Sequence, residues 1–320
     1  MAGLHPTRRT ERVTVLAGGV GAARFLRGLS SLLDPRHLTV IVNTGDDETF
    51  FGLHVSPDVD TVIYTLAGVV DPIQGWGIAA DTTQCLDALG RLYGAAWFRL
   101  GDTDLATHIF RTDALRRGET LTAITAAIAR ARGVRVRILP MSDAPVRTVV
   151  RVAGRGALPF QQYLVRGRGR GRVQRITLRG ARRARPAVGA VAALQRADLV
   201  IIPPSNPFVS IVPILALRGM RDALRTTRAP VAAISPIVAG APIKGPLHRM
   251  LKGLGHEVSP VGVARLYRDC VDVFVMDRCD AALAPRVAAL GMRPVVTDTL
   301  MTTPAKSRRL AQTVLAELHR

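Results

Sequence analysis

Two segments combine residue types that suit chemistry on a phosphate. The first is Ala17-Gly18-Gly19-Val20-Gly21-Ala22-Ala23-Arg24, a glycine-rich run between an apolar strand pattern and a helical one. Glycines let a backbone turn tightly, and the free N–H groups at a helix start attract anions, so Gly18, Gly19 and Gly21 are candidate nucleotide or phosphate contacts. The same glycines also suit a turn made for packing alone. Arg24 stands where the dinucleotide fingerprint wants a third glycine. Ile41-Val42-Asn43-Thr44 fills the place of its ribose-binding acid, so a standard NAD site is not expected.

The second segment is acidic. Asn43-Thr44-Gly45-Asp46-Asp47 is followed by Ser56-Pro57-Asp58-Val59-Asp60-Thr61, placing four aspartates within fifteen residues. Aspartates in loops beside a phosphate site hold Mg²⁺, which takes a few carboxylates together with substrate oxygens and neutralises charge on a leaving phosphate. Asp46, Asp58 and Asp60 are the candidate metal ligands and catalytic carboxylates. Helix caps and Asx turns are the competing role, most directly for Asp58 after Pro57.

Further polar loops follow other apolar runs. Ser205 and Asn206, in Pro203-Pro204-Ser205-Asn206-Pro207, sit in a proline-stiffened turn suited to a base, ribose or phosphate. Lys244, before Gly245-Pro246, is a further phosphate partner or an exposed lysine. His108 is a catalytic candidate or a buried, satisfied histidine. Leu139-Pro140-Met141-Ser142-Asp143 also ends a strand pattern in polar groups.

The elements that must position these loops alternate. Strands are predicted at 14–17, 38–42, 134–139, 199–202, 230–234 and 271–276, with helices after Gly21 and at 121–132, 187–196 and 307–318. The fold expected is α/β, a Rossmann-like parallel sheet with helices on both faces and a smaller additional region. Ligands in such sheets bind beyond the carboxyl ends of the strands. The organisation predicted is a polar tail over 1–11 and one α/β unit over 12–320, with a smaller subdomain around 145–186.

The 320 residues carry a net charge of +20, which points to polyanions or phosphorylated small molecules, or to a GC-rich genome that favours Arg and Ala codons. No apolar run is long enough to cross a membrane, the start lacks the apolar centre of a signal peptide, and three scattered cysteines fit a reducing compartment. A cytoplasmic protein with no membrane contact is expected. The Arg-rich stretch from Arg166 to Arg185 has no interleaved aromatic residue, so nucleic acid is not the expected partner.

In order along the chain, the segments quoted above, with Tyr64-Thr65-Leu66-Ala67-Gly68, Trp76-Gly77-Ile78, Leu105-Ala106-Thr107-His108, Ser235-Pro236-Ile237 and Asp298-Thr299-Leu300-Met301, resemble the 2-phospho-L-lactate transferase family of coenzyme F(420) biosynthesis. The resemblance runs from Val13 to about Leu315. It implies a Mg²⁺-dependent homodimer that joins a guanosine-diphosphate-activated three-carbon acid to the deazaflavin Fo and releases GMP. The acid would be 2-phospho-L-lactate, phosphoenolpyruvate or phosphoglycerate. The resemblance further implies that Asp60 and Arg99 contact Fo, and that Asp46 with Asp58 or Asp60 holds the metal. It does not choose which aspartate is the base. Thr103 replaces an arginine common in the family and Ala22 a frequent glycine. The alternative reading is a nucleotide-sugar-binding regulatory protein of the same superfamily. In the transferase reading, Asp46 lies in a loop expected to face solvent in the empty enzyme, so Asp46→Asn is expected to weaken catalysis more than folding.

Overall fold

A computed structural model describes residues 11–94 and 96–320. The polar tail over 1–11 therefore lies, up to residue 10, outside the described residues. The strands in chain order are β1 (Val13–Ala17), β2 (Leu38–Val42), β3 (Glu48–Phe50), β4 (Leu53–Val55), β5 (Arg137–Pro140), β6 (Arg147–Val152), β7 (Gly156–Pro159), β8 (Val173–Arg179), β9 (Leu199–Ile202), β10 (Val231–Ile234), β11 (Ile237–Val238), β12 (Ala241–Pro242), β13 (Val273–Asp277) and β14 (Arg293–Thr297). Seven of them form one parallel sheet in the order β14-β13-β10-β9-β1-β2-β5.

Successive side chains of β1 point to opposite faces, and both faces are apolar. Val13, Val15 and Ala17 join one buried layer and Leu16 the other; Ile201 and Ile202 of β9 divide the same way. A strand buried on both sides reads as a continuous apolar run, which is why these strands were visible in sequence. Helices α1 (Gly19–Ser30) and α2 (Pro57–Leu66) and the final helix Pro304–Leu318 cover one face. The other face carries the antiparallel sheet β7-β6-β8, whose Val150, Val152 and Val173 enter that layer beside Phe160 and Tyr163. This small sheet lies within the region 145–186.

Chain order reverses between β1 and its neighbour β9, so the loops after these two strands open a crevice. The glycine run follows β1 and Pro203–Asn206 follows β9. The two loops press together at Gly21, where a Cβ would fall on the Pro204 carbonyl oxygen.

Several boundaries differ from the sequence reading. Asp58 and Asp60 are not in a loop: Pro57 starts α2, and both aspartates occupy its first turn, where the helix dipole favours them. The helix expected over 187–196 shrinks to Ala190–Gln195, because Gly189 holds a left-handed conformation at φ 90°. The fifth strand starts at Arg137 rather than at 134. Strand β14 and helix α3 (Gln84–Tyr93) were not foreseen; β14 is half polar and α3 buries only Leu86.

The Gly21 contact yields a direct test. Gly21→Ala forces the β1 and β9 loops apart, and overpacking of this kind costs about 1–3 kcal/mol. Urea unfolding should show the midpoint lowered; an unchanged midpoint would mean that the loops part freely.

Candidate functional site

A cavity of about 690 Å³ occupies the crevice. Its lining is chemically mixed. It combines the glycine turn, Asp46, Asp58, Asp60 and Ser205 with the aromatic side chains of Trp76, Trp97, Phe98 and Phe160.

Asp58 organises the acidic residues. Its Oδ1 accepts from the backbone N–H of Gly19 at 2.9 Å and its Oδ2 from the Asn43 side-chain amide at 2.8 Å. A side chain at Gly18 could not coexist with this, since a Cβ there would lie 2.8 Å from Asp58 Oδ2 and 2.6 Å from Ser210 Cβ. The first free N–H of α1 is thus occupied by a carboxylate of the protein itself. Burial pushes the Asp58 carboxyl up to about 6, although both hydrogen bonds pull the other way.

Asp46 lies beside it, 5% exposed. The expectation of a solvent-facing loop is therefore corrected: β2 delivers this turn into the crevice, and Asn43 Oδ1 accepts from Gly45 N–H at 2.9 Å to fold it inward. Asp46 Oδ1 is buried without a hydrogen-bond partner. Burial raises its carboxyl well above the usual carboxylate range, and the neighbouring charges of Asp58 and Asp47 raise it further. Asp47 is structural, accepting from Ser56 Oγ at 2.8 Å and facing His54 Nε2 at 2.9 Å.

Asp60 has a different environment. Arg111, fully buried on α4 (Asp102–Arg116), grips it with both terminal nitrogens, one at 3.1 Å from Oδ2. Burial raises the Asp60 carboxyl against the pull of Arg111 and His108. Burial lowers the pKa of the guanidinium, and the charge and hydrogen bonds of Asp60 more than offset this, leaving it above its usual value. His108 is buried: its Nδ1 lies 3.2 Å from Arg111 Nη1 and its Nε2 faces Asp104 Oδ1 at 3.3 Å. A guanidinium only donates, so Nδ1 is the accepting nitrogen. Asp104 also accepts from the Tyr64 hydroxyl at 2.6 Å.

Arg111 and Tyr64 were missed in sequence. The usable signal was a polar stripe, Asp104, His108 and Arg111, at helical i, i+4, i+7 spacing. An arginine in so arginine-rich a chain otherwise looks like surface.

Among the other predicted residues, Ser205 is buried on the cavity wall with its Oγ unpartnered. Asn206 also lines the cavity, while its Oδ1 accepts from Phe208 N–H at 3.0 Å to start the next helical turn. Lys244 reaches the rim and donates to the Gln74 carbonyl. Arg99 lines the cavity, exposed, beside Trp97 and Phe98, which stack on Phe50. Arg99 and Asp60 do not pair, since Arg111 holds Asp60. Ser142 and Asp143 serve the fold, Ser142 donating to the Arg185 carbonyl at 2.7 Å and Asp143 accepting from Thr122 N–H at 2.7 Å. Thr103 is exposed at the start of α4.

The donor set suits a small hard cation. Asp46 and Asp58 are adjacent buried carboxylates on the cavity wall with no ion-pair partner among the described residues, and Asp46 Oδ1 is left without a hydrogen-bond partner. Among the described residues no group of three or more His, Cys, Asp or Glu side chains forms a complete metal cage. Two carboxylates completed by substrate oxygens is the arrangement Mg²⁺ accepts.

The parallel sheet and its crevice define an α/β protein with a ligand site at the switch point. Comparison with known proteins then gives the family. The 2-phospho-L-lactate transferase CofD family matches residues 13–316, and the chain belongs to it. A phosphoenolpyruvate transferase of Streptomyces griseus is 43% identical over 309 residues, covering 95% of this chain and 97% of that protein. A 2-phospho-L-lactate transferase of Methanospirillum hungatei is 39% identical over 306 residues, covering 96% and 100%. A solved structure of a UPF0052 family member from Bacillus halodurans superposes with a TM-score of 0.61 at 16% identity, covering 97% of this chain and 100% of that one, and shares the fold. The protein is therefore a transferase of coenzyme F(420) biosynthesis that passes on a phospho-acid. No described helix is long and apolar enough to cross a membrane.

The buried carboxylates set a pH dependence. The folded Asp58 titrates near 6, above the usual unfolded value of about 3.9. Its stability contribution is complete below the unfolded value and is lost as pH rises through the folded one, a loss on the order of 3 kcal/mol, and Asp46 acts in the same direction. In EDTA, melting temperature should fall between pH 4.5 and 7, and Asp46→Asn should flatten that fall and melt a few degrees higher at pH 7. A steeper fall in the variant would contradict the assignment.

Proposed function

We propose that the protein joins a guanosine-diphosphate-activated three-carbon acid to the deazaflavin Fo and releases GMP. The observation that carries the reading is that one cavity is lined both by an acidic, glycine-rich set of residues and by a set of aromatic ones. A diphosphate suits the first and a flat tricyclic ring the second. The ribitol hydroxyl of Fo would attack the phosphorus that bears the acid, a new P–O bond would form, the bond to GMP would break, and the hydroxyl proton would pass to a carboxylate. Asp60, held by Arg111, accepts hydrogen bonds from the ribitol and so aims the hydroxyl. Arg99 faces the ring beside Trp97 and Phe98. Ser205 supplies an unpartnered hydroxyl to the donor, and the crevice walls hold both substrates together, which provides much of the acceleration in such transfers. A magnesium ion held by Asp46 and Asp58 would neutralise charge on the phosphates. The homodimer expected from the family belongs to the same reading.

The transferred acid is 2-phospho-L-lactate, phosphoenolpyruvate or phosphoglycerate; relatives named for two of these acids have similar identity to this chain. Mass spectrometry of the product formed with Fo and each activated acid tests the proposal. One acid should give an Fo adduct together with GMP, and the reaction should stop in EDTA. GMP release at full rate without Fo, or no adduct from any of the three, would refute it.

A second test separates ring recognition from general collapse of the site. Arg99 forms no ion pair among the described residues, although its charge reaches Asp71, so its planar fork is available for ring carbonyls or stacking. Arg99→Lys should weaken Fo binding about tenfold, close to 1.4 kcal/mol, with donor binding nearly unchanged. Equal losses for Fo and GDP would remove Arg99 from the deazaflavin site.

A further inference from the structure

The occupation of α1's first N–H by Asp58 leaves a question of charge. A phosphate cannot take that N–H while the carboxylate holds it, which leaves the other N–H groups of the first turn and nearby side chains for anion recognition. Two cations are placed to do it. Arg24, on the second turn of α1, and Lys244, in the loop after β12, both line the cavity. They converge on one turn. Lys244 Nζ donates to the Gln74 carbonyl, and a Cβ placed on Gly75 would lie 3.5 Å from Arg24 Nη2 and 2.6 Å from Val20. Gly75 has φ 74°, so the turn presses against α1 only because this residue has no side chain. Asp71 fixes the turn by accepting from Ile73 N–H at 2.8 Å and Gln74 N–H at 3.0 Å.

Neither cation has a carboxylate partner among the described residues, and the undescribed residues include no Asp or Glu. A third cation adds to the cluster: Arg27, one turn beyond Arg24, has a buried Nε with no hydrogen-bond partner. Burial and the charge of Arg24 both lower the pKa of Lys244 and of Arg27. Like charges assembled without a counter-ion repel, and an anion between them relieves the repulsion.

We propose that Arg24 and Lys244 form a clamp, built on the Gln74–Gly75 turn, for the diphosphate of the activated donor. The proposal rests on the reading of this cavity as a nucleotide-diphosphate site and names the residues that hold the charge. Arg24, standing where the dinucleotide fingerprint has a glycine, then adds to backbone recognition a guanidinium able to grip two phosphate oxygens. The acidic residues line the same cavity, so a metal-bridged diphosphate would meet both.

Calorimetric titration with GDP and with inorganic pyrophosphate, in EDTA at low salt, tests this without recourse to turnover. Arg24→Gln should weaken both ligands about tenfold or more, Lys244→Gln should weaken both less, and Fo binding should be unchanged in each. Arg24→Lys keeps the charge and should recover part of the loss, which separates a lost contact from a damaged fold. A wild-type protein that binds pyrophosphate but not GDP would end the guanosine reading, and loss of pyrophosphate in Arg24→Gln would still support the clamp. Wild-type affinity for both ligands in Arg24→Gln, or no binding of either ligand by the wild type, would overturn it.

Discussion

The hydrogen bonds of Asp58 hold three segments in register. One oxygen takes the N–H that opens α1 and the other takes the amide of Asn43, while Asp58 itself sits in the first turn of α2. The ends of β1 and β2 and the start of α2 therefore meet on one carboxylate. Asn43 passes the constraint on through its own oxygen, which folds the Gly45 turn and carries Asp46 inward. Gly18 and Gly21 are glycines because the segments approach too closely for a Cβ at either place. The glycine run looks like a phosphate loop, yet its first N–H is filled from within.

This arrangement sorts the carboxylates by partner. Asp60 is neutralised by Arg111, and Asp47 is bound to Ser56 and faces His54. Asp46 and Asp58 have no ion-pair partner among the described residues, and burial makes their ionisation costly. Two carboxyls without a cation and two cations without a carboxylate, Arg24 and Lys244, thus line the same crevice. A folded chain tolerates such unpaired groups at a site where a charged ligand and its counter-ion complete the balance.

Much of this was legible in sequence, for identifiable reasons. The sheet was readable because strands buried on both faces, such as Leu38–Val42, leave unbroken apolar runs. That a site lies beyond the carboxyl ends of the strands was legible from the loops of unusual composition there, whereas the strand order that puts the reversal between β1 and β9 was not. Side-chain assignments were less legible, because partnership depends on helix crossings that no spacing reveals. Asp58 and Asp60 are two residues apart, yet one caps α1 and the other pairs with a guanidinium from α4. Asp46 was expected in solvent because a Gly-Asp-Asp turn looks like surface, and the capping role of the Asn206 oxygen, on the cavity wall, was not foreseen. The segment Leu139–Asp143 marks the family and serves the fold.

The central claim is that Asp46 and Asp58, rather than Asp60, are the carboxylates waiting for a cation. Anomalous diffraction from crystals soaked in Mn²⁺, a stand-in for Mg²⁺, measures this directly. The account predicts a single manganese peak bound by the carboxylates of Asp46 and Asp58, with Asp60 still paired to Arg111. A peak on Asp60 with Arg111 displaced, or no peak in the crevice at saturating Mn²⁺ with a guanosine diphosphate ligand present, would contradict it.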